Sequence, residues 1–259
     1  MMNKATIRAM LVHSGFYRPV MFVCRHLLRR SDIQRFRQIK NLYAQFVRPG
    51  DLCFDVGANV GQTAEVLLAL DATVVSVEPN PACIAEMKAR FPRNQRLQLV
   101  PKAIGAKEGT AMLHIHPFSF ISSLNENWAQ GWTDHVEVTL TTLDALIIAH
   151  GRPRFLKIDV EGFELEVLKG LSHPIEFVSF EYHTTPDEIA KTLACIKKLA
   201  QLAPIEINLT PAEQGILAFD QWLTSDAFSA TFQEYANAHP DEFGDTIIRS
   251  RSPNSELKR

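Results

Sequence analysis

Short apolar runs, each closed by glycine, proline or an acid, recur through the middle of the chain. Residues 51–56, 73–77, 97–100, 155–158, 175–180 and 204–209 all have this form, and 243–248 repeats it near the end. Runs of this length without alternation predict strands buried on both faces, as in a parallel sheet. The intervening segments change to helical spacing: residues 62–70, with Val66, Leu67 and Leu70 on one face, then 81–91, 143–149, a helix opening at Glu161-Gly162 that carries Leu165 and Leu168 inward, and 186–203. Two stretches alternate instead, 110–116 and 135–140, and predict an antiparallel pair. Between them lies a polar, aromatic loop, 117–134, of a length that compact domains usually keep for function. Strand alternating with helix predicts an α/β fold with a mostly parallel sheet. Residues 210–243 predict an irregular, helix-containing connection, with Trp222, Phe228 and Phe232 as packing residues.

The first 48 residues follow another pattern. They hold ten of the 27 Lys and Arg but one acid, Asp32, whereas the rest of the chain is acidic. Phe36, Ile39, Tyr43 and Phe46 share a helical face. No uncharged apolar stretch reaches a membrane-spanning length, and Arg18-Pro19 interrupts the most apolar part. The reading is therefore a basic helical extension over 1–48, rather than a cleaved signal or transit peptide, ahead of a domain at 49–250 and a polar tail at 251–259. Its Arg25, Arg29 and Arg30 suit an anionic membrane surface or a phosphate-bearing substrate, and an amphipathic stretch of this kind suits a homodimer equally. The acidic body argues against nucleic-acid binding. With 46% hydrophobic and 22% charged residues the composition is globular. Four widely spaced cysteines, Cys24, Cys53, Cys83 and Cys195, read as free thiols of a reducing, cytoplasmic compartment with peripheral membrane contact open.

Candidate chemistry sits at the strand ends. Asp55 closes the first strand, Gly57 and Gly61 form the turn into a helix, and Glu78 closes the second strand before Pro79. Glycines admit a ligand close to the backbone, and a carboxylate at the second strand tip accepts hydrogen bonds from ribose hydroxyls. A dinucleotide fingerprint would need glycine where Asn59 and Gln62 stand, so a nicotinamide dehydrogenase is disfavoured. Two acids without a phosphate-binding cation point to a positively charged adenosine cofactor. Asp159, Glu181 and His183 fall at later strand ends and converge on the same crevice. Asp159, Glu161 and Glu181 also compose an oxygen-ligand set for a divalent cation, a reading ranked below cofactor binding. His114 and His116 share a strand face without an evident third ligand.

The runs Asp55-Val-Gly-Ala-Asn-Val-Gly61, Val77-Glu78-Pro79-Asn80-Pro81 and Lys157-Ile-Asp-Val-Glu-Gly-Phe-Glu164 resemble the FkbM family of S-adenosylmethionine-dependent methyltransferases, from about Gln45 to Glu181. The resemblance implies a Rossmann-like class I methyltransferase fold: a mostly parallel seven-stranded sheet with an antiparallel last strand, an inserted β-hairpin and the N-terminal helical extension. It implies S-adenosylmethionine held by Asp55, Gly57, Asn59, Gly61, Glu78, Pro79, Asn80 and Asp159, with Ala103 and Ile104 along the adenine. Ser122 and Ser123 resemble a family element, and with Trp128, Trp132 and Glu161 they are the acceptor-side candidates. The implied activity is O-methylation of a hydroxyl on a sugar, glycan or natural product. His183 is the first choice for the base by residue type, with Asp159 and Glu181 as competitors. A non-catalytic cofactor-binding module docked to a membrane or glycan-assembly partner is the alternative.

Overall fold

The computed structural model describes residues 33–212 and 214–250. Cys24, Arg25, Arg29, Arg30 and the 251–259 tail lie outside the described residues. A helix over residues 33–43, α1, leads into β1 (Leu52–Val56), α2 (Gln62–Leu68), β2 (Thr73–Val77), α3 (Pro81–Arg90) and β3 (Leu97–Val100). Then come β4 (Ala103–Ile104), β5 (Gly109–Ile115), β6 (Asp134–Thr141), α4 (Leu143–His150) and β7 (Phe155–Ile158). The chain continues with α5 (Glu164–Lys169), β8 (Phe177–His183), α6 (Pro186–Ala200), β9 (Ile205–Pro211), β10 (Leu223–Thr224), α7 (Ser225–Ala238) and β11 (Phe243–Ser250).

The main sheet runs β10-β9-β11-β8-β7-β1-β2-β3. Strands β3, β2, β1, β7 and β8 are mutually parallel, and β11 enters antiparallel between β8 and β9. This is the expected class I methyltransferase sheet, widened by the two-residue β10 at its edge. The expected hairpin is also present, but β6 pairs in addition with β4, making a second sheet of three strands.

Both faces of the main sheet are covered, which is why its strands read as unbroken apolar runs. Phe54, Val56, Leu156 and Ile158 pack with residues of α4, α5, α6 and α7 on one side. Cys53, Val74, Phe155 and Ile247 pack with Leu42, Tyr43 and Phe46 and with Ala64, Val66 and Leu67 of α2 on the other. The apolar face read from Phe36, Ile39, Tyr43 and Phe46 thus belongs to the core of the sheet. Burying side chains of this size stabilises by roughly 1.5–3 kcal/mol each. Cys53, Cys83 and Cys195 are free and buried.

The strand pleat puts an uncommon polar row inside the second face. Ser76, Asp55, Lys157 and Ser179 are register neighbours across β2, β1, β7 and β8. All four are buried, and Lys157 is 3% exposed. Its ammonium lies 2.8 Å from Asp245 Oδ1 and 3.3 Å from Asp159 Oδ2. Neighbouring carboxylates hold the Lys157 ammonium well above its ordinary range against the opposing effect of burial. Beneath the glycine loop, the core is therefore cross-braced by charge.

Candidate functional site

A cleft of about 530 Å³ opens at the carboxyl ends of β1, β2 and β7, within the size range of small-molecule sites. Its lining includes Gly57, Asn59, Glu78, Pro79, Ala103, Ile104, Ser122, Ser123, Asp159, Glu161 and Glu181. Residues spread over more than 120 positions of sequence thus meet in one crevice.

One end of the cleft is made by backbone. Gly57 has φ +82°, and a Cβ there would sit 1.7 Å from the carbonyl oxygen of Asp159. Only glycine lets the β1 and β7 ends touch in this way. The Gly57 and Ala58 amides donate to the Val77 carbonyl, stitching the loop to β2. Glu78 Oε2 accepts from the Asn59 amide and Oε1 from the Asn80 amide, both at 2.8 Å. Burial pushes the Glu78 carboxyl up to about 6, with those two amides opposing. Each carboxylate oxygen keeps a second lone pair for a ligand hydroxyl. Asn80 also caps α3 through the Ala82 amide, and Gly61, also at positive φ, sits at the N-cap of α2. The wall opposite is apolar, from Val77, Ala103, Ile104, Leu113 and Leu124. A carboxylate with two free lone pairs in a cleft that also has an apolar wall fits the ribose and adenine of S-adenosylmethionine.

The other end is made by side chains and is acidic. Oxygens of Asp159, Glu161 and Glu181 all lie within 4.8 Å of one another. Burial, then the charges of Glu181 and Asp159, pushes the Glu161 carboxyl up to about 9. The Glu181 carboxyl is also raised by burial, and its Oε2 lies 3.2 Å from His183 Nε2. His183 is raised by this partnership, although burial opposes it. A cationic group placed here relieves the repulsion among the acids, and the sulfonium and amino groups of the cofactor or a divalent ion both fit that description.

Not every sequence candidate reaches the cleft. Asp55 is fully buried behind it, with Oδ2 accepting from Ser76 at 3.3 Å and Oδ1 without a partner among the described residues. Burial pushes this carboxyl up to about 7 while Lys157 opposes the shift. His183 is not on the cleft wall, and its Nε2 is closed to solvent. The helix read from Glu161-Gly162 starts later, at Glu164, because Glu161 and Gly162 both take positive φ, 53° and 85°. They form a turn that carries the loop above. Trp128 lies against Gly162 and donates Nε1–H to Glu161 Oε2 at 2.8 Å, while Ser123 Oγ donates to the Glu161 carbonyl at 2.7 Å. Ser122 Oγ accepts from the His116 amide. Trp132 donates to the Glu126 carbonyl and packs on His114, whose Nδ1 is 2.9 Å from His135 Nδ1. Both tryptophans therefore anchor the loop and neither lines the cleft.

Sequence reasoning missed three features. Ser119 donates to Asn59 Oδ1 at 2.8 Å, tying the same loop to the glycine turn. Lys157 organises Asp159 from beneath, and a lysine inside an unbroken apolar run was a readable signal. Phe243 lines the cleft at the start of β11, and sequence alone assigned it only to a strand.

The chain is 25% identical over 186 residues to the hexuronic acid methyltransferase AglP of Haloferax volcanii, covering 68% of this chain and 75% of that protein. Among solved structures it resembles a precorrin-6y C5,15-methyltransferase from Geobacter metallireducens, with TM-score 0.44 and 10% identity over 82% of this chain and 85% of that one. It also resembles Aeropyrum pernix fibrillarin, with TM-score 0.42 and 10% identity over 79% and 68%. The family described as the methyltransferase FkbM domain matches residues 55–225, and the chain belongs to that family.

Proposed function

We propose that the protein is an S-adenosylmethionine-dependent O-methyltransferase acting on a hydroxyl of a sugar, glycan or related natural product. The observation that carries this reading is the charge layout of the cleft: Glu78 at the ribose end and Asp159, Glu161 and Glu181 at the other. That layout suits a ligand bearing a diol at one end and positive charge at the other. The naming of AglP as a hexuronic acid methyltransferase supports a carbohydrate acceptor.

When bound, S-adenosylmethionine supplies an electrophilic methyl group on a sulfonium. Glu78 would hold the ribose, Ala103 and Ile104 would flank the base, and Asp159 would face the positive end. An alcohol acceptor must lose its proton as the new C–O bond forms. Glu181 is the carboxylate placed to receive it, because it lines the cleft, its affinity for a proton is raised, and His183 stands behind it at 3.2 Å. Glu161, pushed up to about 9 and bound to Trp128, holds its own proton near neutrality and serves the acceptor loop. His183 is then a positioning residue that orients Glu181.

The test is calorimetric titration with S-adenosylmethionine and with NADH, followed by methyl transfer from labelled cofactor to a panel of methyl glycosides. Binding of the first cofactor alone and label in the glycoside fraction are expected. Glu181→Gln should retain cofactor affinity and lose turnover about 100-fold, with His183→Ala moving the pH profile rather than abolishing activity. Binding of NADH instead would end the reading. Full activity after chelation would assign the neutralising role at Asp159, Glu161 and Glu181 to the cofactor, and metal-dependent activity would assign it to a divalent ion.

A further inference from the structure

The acceptor end of the cleft has carboxylates for hydroxyl groups, but the two tryptophans of the 117–134 loop are turned away. Two other aromatic rings line the cleft, Phe163, which packs against the core, and Phe243. Residues Phe243, Asp245 and Ile247 alternate along β11 on one face of the sheet. Ile247 is buried in the core, and Asp245 is bound to Lys157. Phe243, next in line, stands at the rim, 47% exposed and lining the cleft. Because β11 runs antiparallel to β8, its first residue lies at the carboxyl end of the parallel strands, where the cleft opens. Phe243 pairs in register with His183, and the two rings stack with centroids 5.8 Å apart at 22°.

A large apolar side chain left half in solvent gains little from folding. Beside a group of hydrogen-bond acceptors, it is the surface a pyranose needs. The sugar's axial C–H groups make an apolar face that lies on an aromatic ring, while its hydroxyls donate to carboxylates at the edge. Glu181 lines the same cleft and is the carboxylate left for such a hydroxyl. The backing ring of His183 fixes the plane of Phe243, so the platform is ordered before the acceptor arrives and loses little entropy on binding.

We infer that Phe243 is the stacking platform for the acceptor, a pyranose ring whose hydroxyl is thereby presented to Glu181. This rests on the O-methyltransferase reading above. Phe243 is then a specificity-determining residue that selects cyclic, apolar-faced polyols over linear ones.

Saturation-transfer NMR tests it, with methyl β-D-glucopyranoside and methyl β-D-glucuronopyranoside as probes and the protein saturated with S-adenosylhomocysteine. The axial ring protons of a bound glycoside should receive the strongest transfer from wild-type protein. Phe243→Ala should lose that signature and bind about tenfold more weakly, and Phe243→Tyr should keep both. Calorimetric affinity for S-adenosylhomocysteine should stay within about twofold in both variants, which also reports that they are folded. Equal glycoside affinity and an unchanged proton pattern in Phe243→Ala would overturn the assignment and leave the methyltransferase reading standing. Loss of S-adenosylhomocysteine affinity in Phe243→Ala would overturn it too, by making the residue a general support of the cleft. If wild-type protein binds neither glycoside while binding S-adenosylhomocysteine, the carbohydrate acceptor falls, and the platform with it.

Discussion

The two ends of the cleft are built by different means. At the cofactor end the contacts are backbone amides and strand tips: Gly57 and Ala58 on Val77, Asn59 and Asn80 on Glu78. At the acceptor end they are side chains reaching across the chain: Ser119 to Asn59, Ser123 and Trp128 to Glu161, Phe243 to His183. The first is fixed by parallel pairing of β1 with β2 and β7 and has little freedom to vary. The second depends largely on loop sequence, the part of a fold that varies most among relatives.

The largest effect that separates the two ends is expected at Glu78. Glu78→Ala removes a buried acceptor of two amide hydrogen bonds and, on the proposed reading, of the ribose hydroxyls, so cofactor affinity should fall by at least about 100-fold. Glycoside binding at the other end should fall only as far as it requires bound cofactor. Calorimetry with S-adenosylmethionine checks this, and retained affinity would mean that the carboxylate is only a brace for the glycine loop.

An intermediate effect is expected at Gly162. A Cβ there would lie 2.3 Å from the Trp128 ring, and φ +85° is strained for alanine. Gly162→Ala should cost about 2 kcal/mol of stability and about tenfold in turnover through a displaced 117–134 loop. Cofactor affinity should be retained. If turnover is unchanged while the loss of stability is seen, the loop serves packing and not the acceptor.

The same division decides what was legible in the sequence. The strand runs, the Gly57 turn, Glu78 and the convergence of Asp159, Glu161 and Glu181 were readable, because parallel strands end on a common edge and period-2 or unbroken apolar patterns announce them. The widening of the sheet by β10 was not, since two residues carry no periodicity. Asp55 was placed on the cleft by its position at a strand end, but the pleat turns it onto the opposite side, next to Ser76 and Lys157. His183 was chosen by residue type, whereas its surroundings depend on Glu181 of the same strand and on Phe243 of the antiparallel neighbour β11, a pairing that no local pattern announces. The tryptophans are acceptor-side candidates by sequence, yet their indole N–H groups find acceptors at Glu161 and Glu126 that no spacing rule indicates.

The smallest effect sharpens the cost of the charged brace beneath the cofactor end. Asp55 is held in its buried row with Lys157, Asp159 and Glu78 as charged neighbours and Tyr43 of α1 packed above, and burial pushes its carboxyl up to about 7 from an ordinary 3.8. The folded chain therefore binds a proton at this site that the unfolded chain has already released through the range between those values. Stability must fall as pH rises through that window and be lost fully above the folded value. Between pH 6 and 8 the contribution of this one group is on the order of 1 kcal/mol. Glu78 and Glu164 are shifted in the same direction, so the wild-type curve falls for several reasons at once. Asp55→Asn isolates one of them, because the amide is neutral at every pH and close in shape. Urea unfolding at pH 6 and pH 8 should show the variant losing about 1 kcal/mol less than the wild type across that interval. Parallel losses would mean that Lys157 keeps Asp55 ionised throughout, and the row would then be a permanent charge lattice instead of a proton-dependent one.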